Sequence, residues 1–218
     1  MSIKNYLNKI IEIDAIQLMK QLPDDSIDLI LTDIPYNAVS KDSNGIRVFN
    51  KKKADELTFN LQEFINECLR VLKGSVYIFC GKEQVSFIFN EFEKNKLSTR
   101  LCIWEKTNPS PVNGQYTWLS GIECFVFGKN RGAVFNEHCK NTVFRFPNGR
   151  SKIHPTEKSL KLFEYLVIVS SNKESIVLDP CCGSGTTAIA CKNLGRKFIC
   201  GDINGKFIKI ANKRFKNV

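Results

Sequence analysis

The sequence predicts an α/β fold organised around a mainly parallel β-sheet. Three observations carry that expectation. Short apolar runs of strand length alternate along the chain with longer segments whose apolar residues recur at helical spacing. Two of those runs, "SIDLILTD" and "SIVLDP", read as buried strands and end in an acid, Asp33 and Asp179. The second run continues into a glycine-bearing turn and a helix, "CCGSGTTAIA", the strand–turn–helix unit of parallel sheets.

Taken in chain order, "NKIIEID" reads as a short strand and "AIQLMKQLP" as a helix stopped by Pro23. "SIDLILTD" is the next strand. Residues 37–56 are polar, basic and interrupted by Gly45, too long and aperiodic for a simple connection, and read as a functional segment. In "LQEFINECLRVLK", Leu61, Phe64, Ile65, Cys68, Leu69 and Leu72 recur as on one helical face. "GSVYIFC" is a strand, "KEQVSFIFNEFEKN" a helix and "STRLCIWEK" a strand. "NPSPVNGQYTWLSG" is a loop by its Pro and Gly content. "IECFVFGK" and "NTVFRFP" read as strands, and "KSLKLFEYLVIVSS" as a helix with Leu160, Phe163, Leu166 and Val167 inward. "SIVLDP" is a strand, "TTAIACKNLG" a helix ending at Gly195, "RKFICGDI" a strand and "GKFIKIANKRF" the last helix.

The bulk composition narrows the function classes. A chain of 218 residues fits one domain with a small insertion. No apolar run reaches the length of a membrane span, and the N-terminal stretch, with acids among its apolar residues, does not read as a secretory signal. Nine cysteines lack any C-x-x-C pair and are joined by only two histidines, so no metal site is expected. They read as reduced, mostly buried thiols of a cytoplasmic protein. Cys181 and Cys182 are expected to pack rather than react, as are Trp104 and Trp118, although Trp118 sits in a loop from which it could stack. The net charge is +10 and unevenly placed. Between Phe125 and Lys161 eight Lys or Arg face only Glu137 and Glu157, with four Phe residues interleaved, a composition suited to a nucleic-acid surface.

Two motifs carry chemistry. In "DPCCGSGTT", Gly183 and Gly185 allow a tight turn and close approach of a ligand to the backbone at the carboxyl end of a strand. Gly183, Gly185 and Ala188 also satisfy G-x-G-x-x-A, so a dinucleotide reading must be weighed against it. Asp179 at the strand tip would repel a pyrophosphate, which wants bare backbone N–H groups. A cationic ligand would welcome it. S-adenosylmethionine carries an ammonium that Asp179 can accept from and a ribose diol for Asp202, which ends the next strand. The other motif, "TDIPYN", places Asp33 beside Ile34, Pro35 and Tyr36, and in a parallel sheet it lies on the same edge.

These motifs resemble those of the amino-methylating DNA methyltransferases, whose catalytic loop is D/N/S-P-P-Y and whose cofactor loop is D-P-F-x-G-S-G-T. A third family element, H-P-T-Q-K-P, corresponds to "HPTEKSL", His154 to Leu160. The order, catalytic loop first and cofactor loop last, is similar to the β class. Four departures stand out: Ile34 where the family has proline, Cys181 where it has an aromatic, and Glu157 and Ser159 in the third element.

The resemblance implies a Rossmann-like fold in permuted motif order, with a mainly parallel seven-stranded sheet and helices on both faces. It implies that Asp33 and the Ile34 carbonyl accept the two hydrogens of an exocyclic amine, that Pro35 stiffens the loop and that Tyr36 stacks on a flipped base. S-adenosylmethionine would be held by Ile13, Asp14 and Ala15, by Asp33, by Thr156 and Lys158 at its methionine end, and by Asp179, Cys181, Gly183, Ser184, Gly185, Thr186, Asp202 and Ile203. An Asp at the first loop position implies adenine N6 in double-stranded DNA. Cytosine N4 and a DNA-binding homologue weakened by Ile34 are the alternatives. Target recognition is expected from residues 37–56 and 106–152 of a single domain. A homodimer and a separate restriction endonuclease are the protein partners to consider, with no membrane.

Overall fold

Eight strands join in one sheet in the computed structural model of the chain, which describes residues 3–36, 59–111, 114–149 and 158–218. They are β1 (Lys9–Glu12), β2 (Ile27–Asp33), β3 (Leu72–Cys80), β4 (Ser98–Lys106), β5 (Ile122–Lys129), β6 (Val143–Phe146), β7 (Ile176–Asp179) and β8 (Lys197–Asp202). The helices are α1 (Ala15–Lys20), α2 (Leu61–Val71), α3 (Val85–Lys94), α4 (Leu160–Ser170), α5 (Thr186–Leu194) and α6 (Gly205–Lys216). The strand order is β1-β8-β7-β2-β3-β5-β4-β6. Only β5 runs antiparallel to its neighbours, β3 and β4. Eight strands match the number of strand segments read from the residues and exceed by one the seven implied by the resemblance. The outermost, β6, lies parallel to β4, where the indole Nε1 of the fully buried Trp104 donates to the Phe146 carbonyl at 2.9 Å.

The alternation of side chains along each strand sorts the core into two layers. Ile30, Val76, Ile78, Leu178 and Ile199 face α1, α2 and α3, meeting Leu18, Met19, Phe64, Cys68, Ile88 and Phe92. Leu29, Leu31, Tyr77, Phe79, Val177 and Phe198 point the other way and pack on α4, α5 and Ile208 of α6, around Phe163, Leu166 and Ala190. Both faces of β2, β3, β7 and β8 are therefore covered, which is why these strands are apolar in almost every position. The α2 periodicity extends to Leu72, yet the helix gives way there to β3 with no intervening loop. Gly74, two residues into β3, lies where a Cβ would stand 1.8 Å from the Asp28 carbonyl oxygen, so the close approach of β3 to β2 requires glycine.

The topology also decides which residues share an edge. β1, β8, β7, β2 and β3 are mutually parallel, so their carboxyl ends lie in a row: Glu12, Asp202, Asp179, Asp33, Cys80. Because β5 is antiparallel to β3, its amino end, Ile122–Glu123, comes to that same edge. β4 is antiparallel to β5 in turn, which brings its carboxyl end, Lys106, alongside.

Candidate active site

The loop after β2 is held by backbone contacts that need specific neighbours. The Ile34 N–H donates to the Phe79 carbonyl at 3.1 Å, extending the β2–β3 ladder by one residue. The Ile34 side chain is 1 % exposed and belongs to the α1–α3 core layer. Gln84 clamps the next residue: its Nε2 donates to the Pro35 carbonyl at 2.9 Å while its Oε1 accepts from the Gly81 N–H at 2.8 Å. A Cβ on Gly81 would stand 2.6 Å from the Tyr36 carbonyl oxygen, so only glycine lets the two backbones pass.

Asp33, Tyr36, Glu123 and Lys158 form one connected group. Lys158 Nζ lies 3.0 Å from Asp33 Oδ2, 2.7 Å from Glu123 Oε2 and 2.9 Å from the Tyr36 hydroxyl. The Tyr36 hydroxyl donates to Glu123 Oε2 at 3.0 Å, and Lys106 Nζ holds Glu123 Oε1 at 2.7 Å. Two ammonium groups thus face two carboxylates. Burial by itself would raise the Glu123 carboxyl, but Lys158 and Lys106 outweigh it and hold it down at about 2. Burial would lower the Lys158 ammonium, and Asp33 and Glu123 reverse that, so it stays charged. Asp33 is raised, by burial first and by the neighbouring Glu123 charge, with Lys158 offsetting part. Asp33 Oδ1 is buried and has no hydrogen-bond partner among the described residues. A buried acceptor left unpaired costs about 1–3 kcal/mol; Thr32 Oγ1 and Ser75 Oγ are in the same condition among the described residues, and only the Asp33 oxygen belongs to a carboxylate.

The second loop follows β7. Asp179 is 3 % exposed; its Oδ2 accepts from Thr187 Oγ1 at 2.5 Å and its Oδ1 from the Cys181 N–H at 3.2 Å. It forms no ion pair among the described residues, and burial lifts its carboxyl to about 7 against those two hydrogen bonds. Gly183 (φ +48°) and Gly185 (φ +81°) both adopt left-handed backbone. Their reasons differ. A Cβ on Gly185 would meet the Ala211 Cβ at 2.8 Å, so that glycine serves the packing of α5 on α6, whereas Gly183 has open space before it. Asp202 Oδ2 accepts from the Gly183 N–H at 2.9 Å and Oδ1 from the Asn204 N–H at 2.8 Å, tying the loop to the end of β8. Cys182 N–H donates to the Gly201 carbonyl at 2.8 Å, and Ser184 is fixed by Arg214 through its carbonyl and hydroxyl. On the far side, Ile13 N–H donates to the Asp202 carbonyl, Asp14 caps α1 through the Gln17 N–H, Ala15 is buried and Ile203 is exposed. Thr186 opens α5 and is buried.

Lys158, which the resemblance places at the methionine end of the cofactor, directs its three N–H donors at Asp33, Glu123 and Tyr36. Of the two expectations for Trp118, packing and stacking from a loop, packing does not hold: it is 95 % exposed, in the irregular stretch between β4 and β5, with Tyr116 also outside. The expected recognition region 106–152 holds β5 and β6 as well as loops, and the other, 37–56, lies outside the described residues, as does Thr156. Glu123, Gln84 and Gly81 lie outside the motifs. An acid inside the otherwise apolar run "IECFVF" is a signal of a buried charge; Gln84 and Gly81 carry no sequence signal, since their role exists only through contact with a loop about 45 residues away.

The two acid-tipped loops, side by side on adjacent strands with a glycine turn between helix and sheet, agree with what sequence comparison finds. The DNA methylase family of N6- and N4-amino methyltransferases matches residues 27–138 and 120–213. The chain belongs to this family. It is 32 % identical to the type II methyltransferase M.HpaI of Haemophilus parainfluenzae, over 92 % of this chain and 72 % of that one. It is 30 % identical to the DNA adenine methyltransferase YhdJ of Escherichia coli (strain K12), over 96 % of this chain and 83 % of that one. The crystal structure of an M1.HpyAVI–SAM complex superposes with a TM-score of 0.73 at 30 % identity, covering 94 % of this chain and 98 % of that one. The protein is an S-adenosylmethionine-dependent DNA methyltransferase with the Rossmann-like fold of its family. Among the described residues no helix is long and apolar enough to cross a membrane.

Proposed function

We propose that the chain methylates the N6 amine of adenine in double-stranded DNA, with Asp33 as the catalytic carboxylate. The observation that carries this reading is Asp33 Oδ1, a buried acceptor without a partner among the described residues, at the sheet edge beside the loop after β7. The target base must leave the duplex to reach it. S-adenosylmethionine, when bound, supplies a sulfonium methyl group. Asp179 fits its ammonium, being a buried acid with no ion pair among the described residues, and Gly183 leaves room for backbone contact; the same reading gives Asp202, Ile203, Ile13, Asp14, Ala15, Cys181, Ser184, Gly185 and Thr186 to the rest of the cofactor. Asp33 Oδ1 and the Ile34 carbonyl accept the two amine hydrogens, freeing the nitrogen lone pair from conjugation with the ring. As positive charge grows on the nitrogen, the Asp33 carboxylate stabilises it. Pro35 and the Gln84 clamp keep the loop in place, and the Tyr36 ring offers a stacking surface to the base.

The same reading takes residues 37–56 and 106–152, with exposed Trp118 and Tyr116, as the surfaces that contact DNA. A second copy of the chain would extend a recognition surface of this size. The protein would act in restriction–modification beside a separate endonuclease, in the cytoplasm, where its nine free thiols stay reduced. The test is methyl transfer to duplex DNA followed by mass analysis of the digested nucleosides. N6-methyladenine is the expected product, and Asp33→Ala is expected to reduce the rate by at least a hundredfold while cofactor binding persists. N4-methylcytosine as the product, or a wild-type rate in Asp33→Ala, would refute the assignment.

A further inference from the structure

Lys158 stands in the way of a catalytic Asp33 unless its charge is met elsewhere. Lys158 brings a full positive charge to within 3.0 Å of the carboxylate that must stabilise a developing positive charge on the substrate nitrogen. Left alone, Lys158 would compete with the amine for Asp33 and oppose the reaction. It is not left alone: it stands 2.7 Å from Glu123 Oε2, a shorter separation than its distance to Asp33, and Lys106 occupies the other Glu123 oxygen. All four charged groups are largely buried, so their interactions are weakly screened.

We propose that Glu123 is a positioning residue for methyl transfer: it anchors and neutralises Lys158, which in turn fixes Asp33 Oδ2 and the Tyr36 hydroxyl and leaves Oδ1 as the acceptor for the target amine. The inference rests on Asp33 being the catalytic carboxylate. Its parts are consistent in number as well as in distance. Lys158 has three donors and three acceptors around it, Asp33 Oδ2, Glu123 Oε2 and the Tyr36 hydroxyl. Glu123 spends both oxygens on the two lysines and the tyrosine. Among the described residues Asp33 Oδ2 is committed to Lys158 and Oδ1 has no hydrogen-bond partner. With both lysines and both carboxylates in place the group is neutral, so a cation arriving at Asp33 meets no net opposing charge. Glu123 reaches this spot because β5 is antiparallel to β3, which puts the amino end of β5 at the carboxyl edge.

The titratable groups facing Asp33 among the described residues are the charged Lys158 and Glu123, the neutral Tyr36 hydroxyl and Cys80 thiol, and the buried Asp179, with Lys106 acting through Glu123. Removing the Glu123 charge lowers the pH at which Asp33 ionises, and removing Lys158 raises it. The experiment measures kcat across pH at saturating cofactor and DNA for Glu123→Gln, Lys158→Met and the double variant, with cofactor affinity and DNA KM alongside. Glu123→Gln leaves two lysines against one carboxylate; kcat is expected to fall roughly ten- to a hundredfold, the range over which second-layer partners act. Its cofactor Kd and DNA KM should stay within about twofold, and its acid limb should move to lower pH. The limb of Lys158→Met should move to higher pH. The double variant also loses the ammonium that fixes Asp33 Oδ2, so its kcat should stay below wild type while its limb returns toward wild type. A folded Glu123→Gln with wild-type kcat, or with an acid limb that does not move to lower pH, would overturn the proposal. Should Glu123→Gln fail to fold, an acid limb that stays put in Lys158→Met overturns it as well. Asp33→Ala separates the two layers of the argument: a wild-type rate there removes the catalytic assignment, whereas loss there with no effect of Glu123→Gln removes only the positioning role.

Discussion

Asp179 is a carboxyl that burial keeps protonated until about pH 7, and a bound ammonium would convert it to a carboxylate. Binding of S-adenosylmethionine should therefore release a proton. With the carboxyl titrating at about 7 in the free protein, linkage gives about half a proton released per cofactor at pH 7 and roughly nine-tenths at pH 6. Working at or below pH 7 keeps the cofactor's own amino group charged. Calorimetry in two buffers of different ionisation enthalpy measures the proton count directly, and the apparent Kd should rise toward tenfold per pH unit as pH falls through 6. The same carboxyl bears on stability. Its folded value of about 7 lies above the ordinary 3.8, so between those pH values the folded state holds more protons than the unfolded one. Stability of the cofactor-free protein then falls as pH rises across that window, by about 4 kcal/mol in total. Asp179→Asn keeps the Cys181 N–H and Thr187 hydroxyl supplied with partners and removes this penalty. It should raise the urea midpoint at pH 7.5, leave it unchanged near pH 3.5, and bind cofactor weakly with no proton released. A wild-type cofactor affinity in Asp179→Asn, or binding without proton release at pH 6, would refute the role assigned to this acid.

Two further outcomes concern the loop after β2. Ile34→Pro, which restores the family residue, deletes the N–H that reaches the buried Phe79 carbonyl, so urea melts should show a loss of about 1–3 kcal/mol, against less than about 1.5 for Ile34→Val; equal stability of Ile34→Pro and wild type would mean the ladder bond contributes nothing. Gly81→Ala forces a Cβ against the Tyr36 carbonyl and must displace the loop. Its kcat should drop by up to about a hundredfold while calorimetry shows cofactor affinity retained, because the cofactor loop lies on other strands.

Much of the chain's organisation is legible in its local chemistry. Strand and helix positions follow from apolar periodicity, and Gly195 ends α5 in left-handed backbone where the pattern stops. Asp33 and Asp179 stand out because an acid at the tip of an apolar strand has no place in a core. The periodicity misleads at Leu72, which satisfies the helical face of α2 but is taken into β3. Trp118 misleads in another way: aromatic character argues for burial, yet the loop after β4 carries it outside.

The sequence alone determined the α/β class, the two acid-tipped loops and the residue types that can hold a sulfonium cofactor and an amine, since these depend on a few neighbouring residues and on spacing. Only the tertiary structure decided which charges meet. Lys158 lies 35 residues from Glu123 and 125 from Asp33, and nothing local specifies that an antiparallel β5 will turn its amino end to the edge where β2 leaves off. That pairing takes the Lys158 ammonium for Asp33 and Glu123, and among the described residues it leaves Asp33 Oδ1 without a partner.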